Sequence, residues 1–213
     1  MNTTIPFYPN ADNTHCFQAC IKMLAKHFWP QEDYSWDELD NHTAKVKDLW
    51  TWPMAGVLWL QQKGLEVVDI EIFNYQQFVE KKEQYLSIFF GKKVSEEQIK
   101  NSNPEQEVKY AQKFQEKIEI ENRIPEKKDI IQLLKLGYLL ICNINSEVLD
   151  KKGGYTGHFV VITGNDEVGY FLHDPGLPAY KNRKVTFELF EQAWAYPNEK
   201  AKNILAFRLQ SVK

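Results

Sequence analysis

Cysteine is scarce in this chain: Cys16, Cys20 and Cys142 are the three among 213 residues. A low, odd count at this length argues against a disulfide framework. Cys16 and Cys20 also lack a CxxC spacing and a nearby His/Cys pair of finger type, so no metal site is expected. Long apolar runs are missing. The strongest, Tyr138 to Cys142, is far too short to span a bilayer. The start, Met1 to Pro6, has neither a basic cluster nor an apolar stretch, so no secretory signal is read and a cytoplasmic location is expected. No block carries charge of one sign, and the formal net charge is only -3. That weighs against nucleic acid or a membrane surface as partner. There is no internal repeat and no low-complexity linker.

What is present supports a folded core. Hydrophobic residues make up 43% of the chain, enough at this length to fold without staples. The expected organisation is one domain over 1–213. Ile5 to Tyr8 reads as extended, and Asn10 to Thr14 as a polar turn. Apolar residues from Cys16 to Phe28 recur at three and four, which predicts a helix from about His15 to Phe28, with Thr14 or Asn13 as N-cap. Ser35-Trp-Asp-Glu38 has the capping-box pattern. Pro53 opens another helix that Gly64 closes. Leu65 to Phe73 reads as a strand, and residues 75 to 90 as one helix.

Residues 91–128 are charged and read as a helical insertion, with Ser95-Glu-Glu-Gln98 as a second capping box and Asn103-Pro104 starting a long helix. A further helix runs from Pro125 to Leu136. Strands follow at 138–145, 157–163 and 170–173, with two more at 184–186 and 204–209 around a helix near Phe187 to Trp194. Helices first and sheet afterwards give an α+β fold class.

Cys16 is the most informative residue, at the start of an apolar helix just after a polar turn. Unpaired N–H groups and the helix dipole there favour a thiolate, the nucleophilic form of the side chain. Cys20, one turn on, and Cys142, inside an apolar strand, read as core. His158 follows a flexible Gly153-Gly154 and Gly157 approach and begins a hydrophobic strand. If that strand and the next form a hairpin turning near Asp166, residue 158 lies close to the level of Asp174, whose carboxylate could then fix the imidazole tautomer. His173 alternates to the opposite face and is the weaker candidate for a base. His15 precedes Cys16 and is read as a contact of it. Trp52, Tyr155 and Trp194 are candidates for lining a substrate cleft. The Asp174 to Pro178 and Gly153-Gly154 loops would flank it.

The order of these motifs carries a resemblance. Cys16-Phe-Gln-Ala-Cys20-Ile-Lys-Met23 near the start, with Gly157-His158-Phe-Val-Val and His173-Asp174-Pro175 near the end, resembles the bacteriocin-processing peptidase family. This is the papain-like family also called C thirty-nine, together with its peptidase-like relatives. The resemblance implies a papain-like fold, N-terminal helices packed on a C-terminal antiparallel sheet. It also implies a Cys16 nucleophile, a His158 base, an Asp174 orienter and an oxyanion donor six residues before the cysteine, which here is Asn10 rather than glutamine. Asn13 and Gln18 are alternative donors. A second departure is Phe17 where the family has glycine. The implied activity is cleavage of a peptide or small amide through an acyl-cysteine, with no cofactor. An acyltransferase and a non-catalytic binding module on the same scaffold are the alternatives.

Overall fold

The structure is a computed structural model and describes residues 5–210. The N-terminal four residues, on which the absence of a secretory signal was partly read, lie outside the described residues, as do the last three.

The first half is helical: α1 (Cys16–Phe28), α2 (Trp36–His42) and α3 (Met54–Gln62) precede strand β1 (Leu65–Glu71). Then come α4 (Tyr75–Lys81), α5 (Glu83–Phe90), α6 (Lys92–Asn101), α7 (Pro104–Lys117), β2 (Glu119–Asn122) and α8 (Lys127–Lys135). The last part holds β3 (Leu139–Asn145), α9 (Ser146–Leu149), β4 (Gly157–Asn165), β5 (Gly169–Asp174), β6 (Tyr180–Thr186), α10 (Phe187–Trp194) and β7 (Ile204–Leu209).

Local chemistry explains most boundaries. Ser35 and Glu38 exchange reciprocal hydrogen bonds at the start of α2, the expected capping box. Asn103 caps α7, with Pro104 in its first turn. Gly64 takes φ +100° where the chain leaves α3 for β1. Other expectations fail for visible reasons. The single helix over 75–90 is two, because Lys82 sits at φ +50° and breaks it. Ser95 does not cap a helix. It lies inside α6 and its hydroxyl bonds back to the Lys92 carbonyl. The cap of α1 is His15, with no side-chain hydrogen bond, rather than Thr14 or Asn13.

Seven strands form one sheet in the order β2-β1-β7-β3-β4-β5-β6. The sheet is antiparallel except at one edge, where β2 runs parallel to β1. The charged segment 91–128 is therefore not wholly helical, since it donates that edge strand. Its four residues hold one apolar side chain, Ile120, too few to set a strand period.

Alternating residues divide the core into two layers. One face of the sheet, carrying Val67, Ile141, Phe159, Val161 and Leu205, packs under α1 and α3. The other, carrying Val160, Ile162, Leu172 and Ala206, packs against α10. The layer under α1 contains a matched exchange of bulk. The Phe17 ring lies 4.9 Å from the Phe159 ring, and a Cβ at Gly56 would come within 2.7 Å of it. The bulk beside Cys16 thus turns into the core, and α3 makes room for it with a glycine.

Candidate active site

Cys16 occupies the first residue of α1 and is only half-buried, whereas Cys20 and Cys142 are fully buried. Across from it stands His158 at the start of β4. The β4–β5 register pairs Val161 with His173, and a bulge lies between Ile162 and Gly164. Continuing that register puts Asp174 opposite Val160, one diagonal step from His158 rather than level with it. The side chains still meet: His158 Nε2 lies 2.8 Å from Asp174 Oδ1. With Nε2 so engaged, Nδ1 is the nitrogen left for the Cys16 thiol, and the two groups shift each other's acidity.

The three pKa values move together. Burial would raise the Cys16 thiol, but the hydrogen bond and charge of His158, with the N–H groups of Phe159 and Phe17, outweigh it and lower it. Burial would lower His158, but Asp174 and the Cys16 sulfur raise it to about 10. Burial would raise Asp174, but His158, Arg183 and the Gly176 N–H hold it at about 2. The arrangement favours a thiolate–imidazolium pair backed by a carboxylate. Cys20 and Cys142 are pushed the other way, first of all by burial.

Sequence reading missed Arg183 on β6. Its Nη1 donates to Asp174 Oδ2 at 2.7 Å, and its Nη2 donates to Asp150 Oδ1 at 2.8 Å and to the Leu149 carbonyl at 3.0 Å. Gly176 N–H donates to Asp174 Oδ1 at 3.0 Å, so both carboxylate oxygens are held. One arginine in a polar edge strand gives no pattern in the sequence that would single it out. Gly169 permits the close β5–β6 approach that brings it there, since a Cβ would lie 2.0 Å from the Val185 carbonyl oxygen.

Asp174 makes a testable contribution to stability. Its folded pKa is depressed from 3.8 to about 2. The stabilisation is therefore present above about pH 4 and lost as pH falls towards 2, an effect of about 2 kcal/mol. Urea unfolding at stepped pH should show wild type losing about that much more than Asp174→Asn between pH 4 and 2. Parallel curves would contradict the ion pair.

Asn10 is buried and fixed from several sides. Its Oδ1 accepts the N–H of His15 at 3.0 Å and of Asp12 at 3.2 Å. Its own N–H donates to the Pro175 carbonyl at 2.8 Å, tying this turn to the loop after Asp174. The Asn10 amide nitrogen makes no hydrogen bond within the described residues, which leaves a free donor. The alternatives fall away: Gln18 donates to Thr43 and Thr51 in the core, and Asn13 is exposed. His173 is structural, bonded to the Ile5 carbonyl and accepting from the Asn182 N–H. Asp12 and Asp40 take both ring nitrogens of His15, leaving neither for Cys16.

A cleft opens from Cys16 along the α1 side of the sheet, with about 1010 Å³ of empty space counted to its open mouth. Trp50, Trp52, Tyr155 and Tyr196 are among its walls. The Tyr155 hydroxyl accepts from Gln98 of α6 at 2.7 Å, so α6 buttresses one wall. Trp52 and Tyr155, candidates for a substrate cleft, line this one. Trp194 does not: it is 1% exposed in the opposite core layer, where its Nε1–H bonds the Asn203 carbonyl at 2.9 Å. Its place on the apolar stripe of α10 accounts for that burial. Among the described residues no group of three or more His, Cys, Asp or Glu side chains could hold a metal ion, and no helix is long and apolar enough to cross a membrane.

Comparison with known proteins bears on the fold and the family. Two solved structures share the fold. One is the peptidase domain of Streptococcus ComA, a bi-functional ABC transporter involved in a quorum-sensing pathway. It is 15% identical with a TM-score of 0.55, covering 97% of this chain and 100% of that one. The other is a C39-like peptidase from Bacillus anthracis, 13% identical with a TM-score of 0.52, covering 99% and 97%. The fold is that of the papain-like C39 peptidase domains. No curated protein matches the sequence. The model of the peptidase C39-like family matches residues 3–202, and the chain belongs to that family.

Proposed function

We propose that this protein is a thiol-dependent hydrolase that cleaves a peptide or other amide bond at Cys16. The observation that carries the proposal is the line of three polarised groups: a lowered thiol, a raised imidazole, and a carboxylate 2.8 Å behind it. Cys16 Sγ attacks the substrate carbonyl carbon, and the carbonyl π electrons move to oxygen. The Asn10 amide and the backbone N–H of Cys16 donate to that oxyanion. The His158 imidazolium gives its proton to the leaving nitrogen as the C–N bond breaks, leaving an acyl-cysteine. Neutral His158 then takes a proton from water, which attacks the thioester. The carboxylic acid leaves and the thiol is restored. Asp174 keeps the ring oriented and transfers no proton. Arg183 and Gly176 keep Asp174 in place. The three unpaired thiols fit a reducing compartment such as the cytoplasm.

A peptide ester tests the proposal. Intact mass should show one acyl group on wild type, mapped to Cys16, that decays in water and is absent from Cys16→Ala. An acyl group that persists in water but leaves on adding an amine or thiol would identify an acyltransferase. No acyl group at all would leave a binding module.

A further inference from the structure

The cleft that begins at Cys16 also reaches a pair of carboxyls on β1, the buried Asp69 and the half-buried Glu71. Both project from the α1 side of the sheet, since they alternate in step with Leu65 and Val67. The sheet registers Asp69 beside Leu205 of β7, Leu205 beside Ile141 of β3, and Ile141 beside Val161 of β4. Three strand spacings therefore separate the pair from the strand that carries His158, roughly 14 Å at about 4.8 Å per strand. Between them the cleft includes Asn143, Asn203 and Phe159.

The pair lacks charge compensation. Asp69 is 1% exposed, and no Lys, Arg or His of the described residues lies within ion-pair distance of either carboxyl. The hydroxyl of Tyr75 meets both groups, but its single hydrogen can serve only one at a time. The two carboxyls also hydrogen-bond each other, so with one shared proton they keep a negative charge that no cationic side chain of the described residues offsets, a costly arrangement at the end of a cleft. Burial raises the pKa of both, which favours the protonated form, and the charge of Glu71 adds to the shift at Asp69. The surrounding walls are aromatic: Trp52, Phe73, Phe89 and Phe90 line the same space. Ring faces beside carboxylates suit an organic cation. The ring walls add no oxygen ligands, so the surroundings suit an organic cation better than calcium or magnesium.

We propose that Asp69 and Glu71 form a binding subsite for a positively charged organic group of the substrate, a primary ammonium or guanidinium, three strands across the cleft from the strand that carries His158. The assignment of the second group to a substrate rests on the hydrolase reading above; the cation site itself does not.

Two measurements separate these claims. In the first, benzylammonium and its neutral counterpart benzyl alcohol are titrated into Cys16→Ala protein by calorimetry. Benzylammonium should bind about tenfold more tightly, and Glu71→Gln should remove the preference. Asp69→Asn should do the same, with circular dichroism confirming its fold. Glu71 is only half-buried, so its variant keeps the test valid if the Asp69 variant unfolds. Equal binding of the two compounds, or a preference that survives Glu71→Gln, overturns the subsite. Calcium binding in place of benzylammonium overturns it as well. In the second, wild type reacts with two chloroacetamides that carry a chain of about 14 Å, one ending in a free amine and one in its acetylated form. The free amine should label Cys16 about tenfold faster. Equal rates at Cys16 reject the subsite as part of the substrate path. No labelling of Cys16 beyond that of Cys142 rejects the hydrolase reading instead.

Discussion

Replacing His158 with alanine is expected to slow alkylation of Cys16 by iodoacetamide at about pH 6 by 10²–10³-fold, about the factor separating a paired thiolate from an ordinary thiol. The thiolate is the reacting form. An unassisted thiol at its ordinary value of 9.0 is ionised in only about one molecule per thousand at that pH. Burial would push it higher still. In this site His158 provides the first-ranked effect against that burial, through its hydrogen bond and its charge. Removing the ring leaves the helix start and two N–H groups to carry the anion alone. Peptide mapping of the alkylated residue gives the rate, and circular dichroism confirms the fold. Asp174→Asn should slow the reaction less, because it changes how the ring is held rather than whether it is there. Equal rates in wild type and His158→Ala would mean that Cys16 is merely exposed.

Asn10→Ala is expected to separate two kinds of reaction. Acylation by a peptide ester should fall by about 10²–10³-fold, the usual consequence of losing one oxyanion donor. Alkylation by iodoacetamide builds no oxyanion and should change little. The distinction matters because Asn10 has two duties. Its oxygen holds the N–H groups of Asp12 and His15 and so shapes the turn before α1. Its amide nitrogen is the free donor. If both reactions fall together, the residue matters for the turn and the oxyanion role is wrong.

Much of this site was legible because its residues sit at element boundaries that the sequence marks. Cys16 follows a polar turn and begins an apolar helical stripe. His158 begins a β-branched strand after glycines. Asp174 stands before a proline that ends the next strand. The hairpin arithmetic brought His158 and Asp174 together despite a bulge that it did not include, since a diagonal step still keeps two side chains within reach. Arg183 and the Asp69–Glu71 pair were not legible, because each takes its meaning from partners far along the chain. Asp69 reads as one acidic interruption in an apolar strand until the cleft above it is seen. Trp194 misled for the converse reason: an aromatic near the end of an amphipathic helix carries no mark of which layer it enters. The edge strand β2 was hidden in a charged stretch, where its four residues offer only Ile120 as an apolar side chain.

The proposed hydrolase requires Cys16 to be an anion, stabilised by His158, well below the pH at which a free thiol ionises. The most direct measurement is the pH dependence of Cys16 alkylation in the wild-type protein, followed by peptide mapping from about pH 5 to 10. Cys16 should already react at its plateau rate well below pH 9, while Cys20 and Cys142 remain unmodified in the native fold. A single rise in rate with its midpoint at or above 9.0 would contradict the ion pair and, with it, the proposed hydrolase.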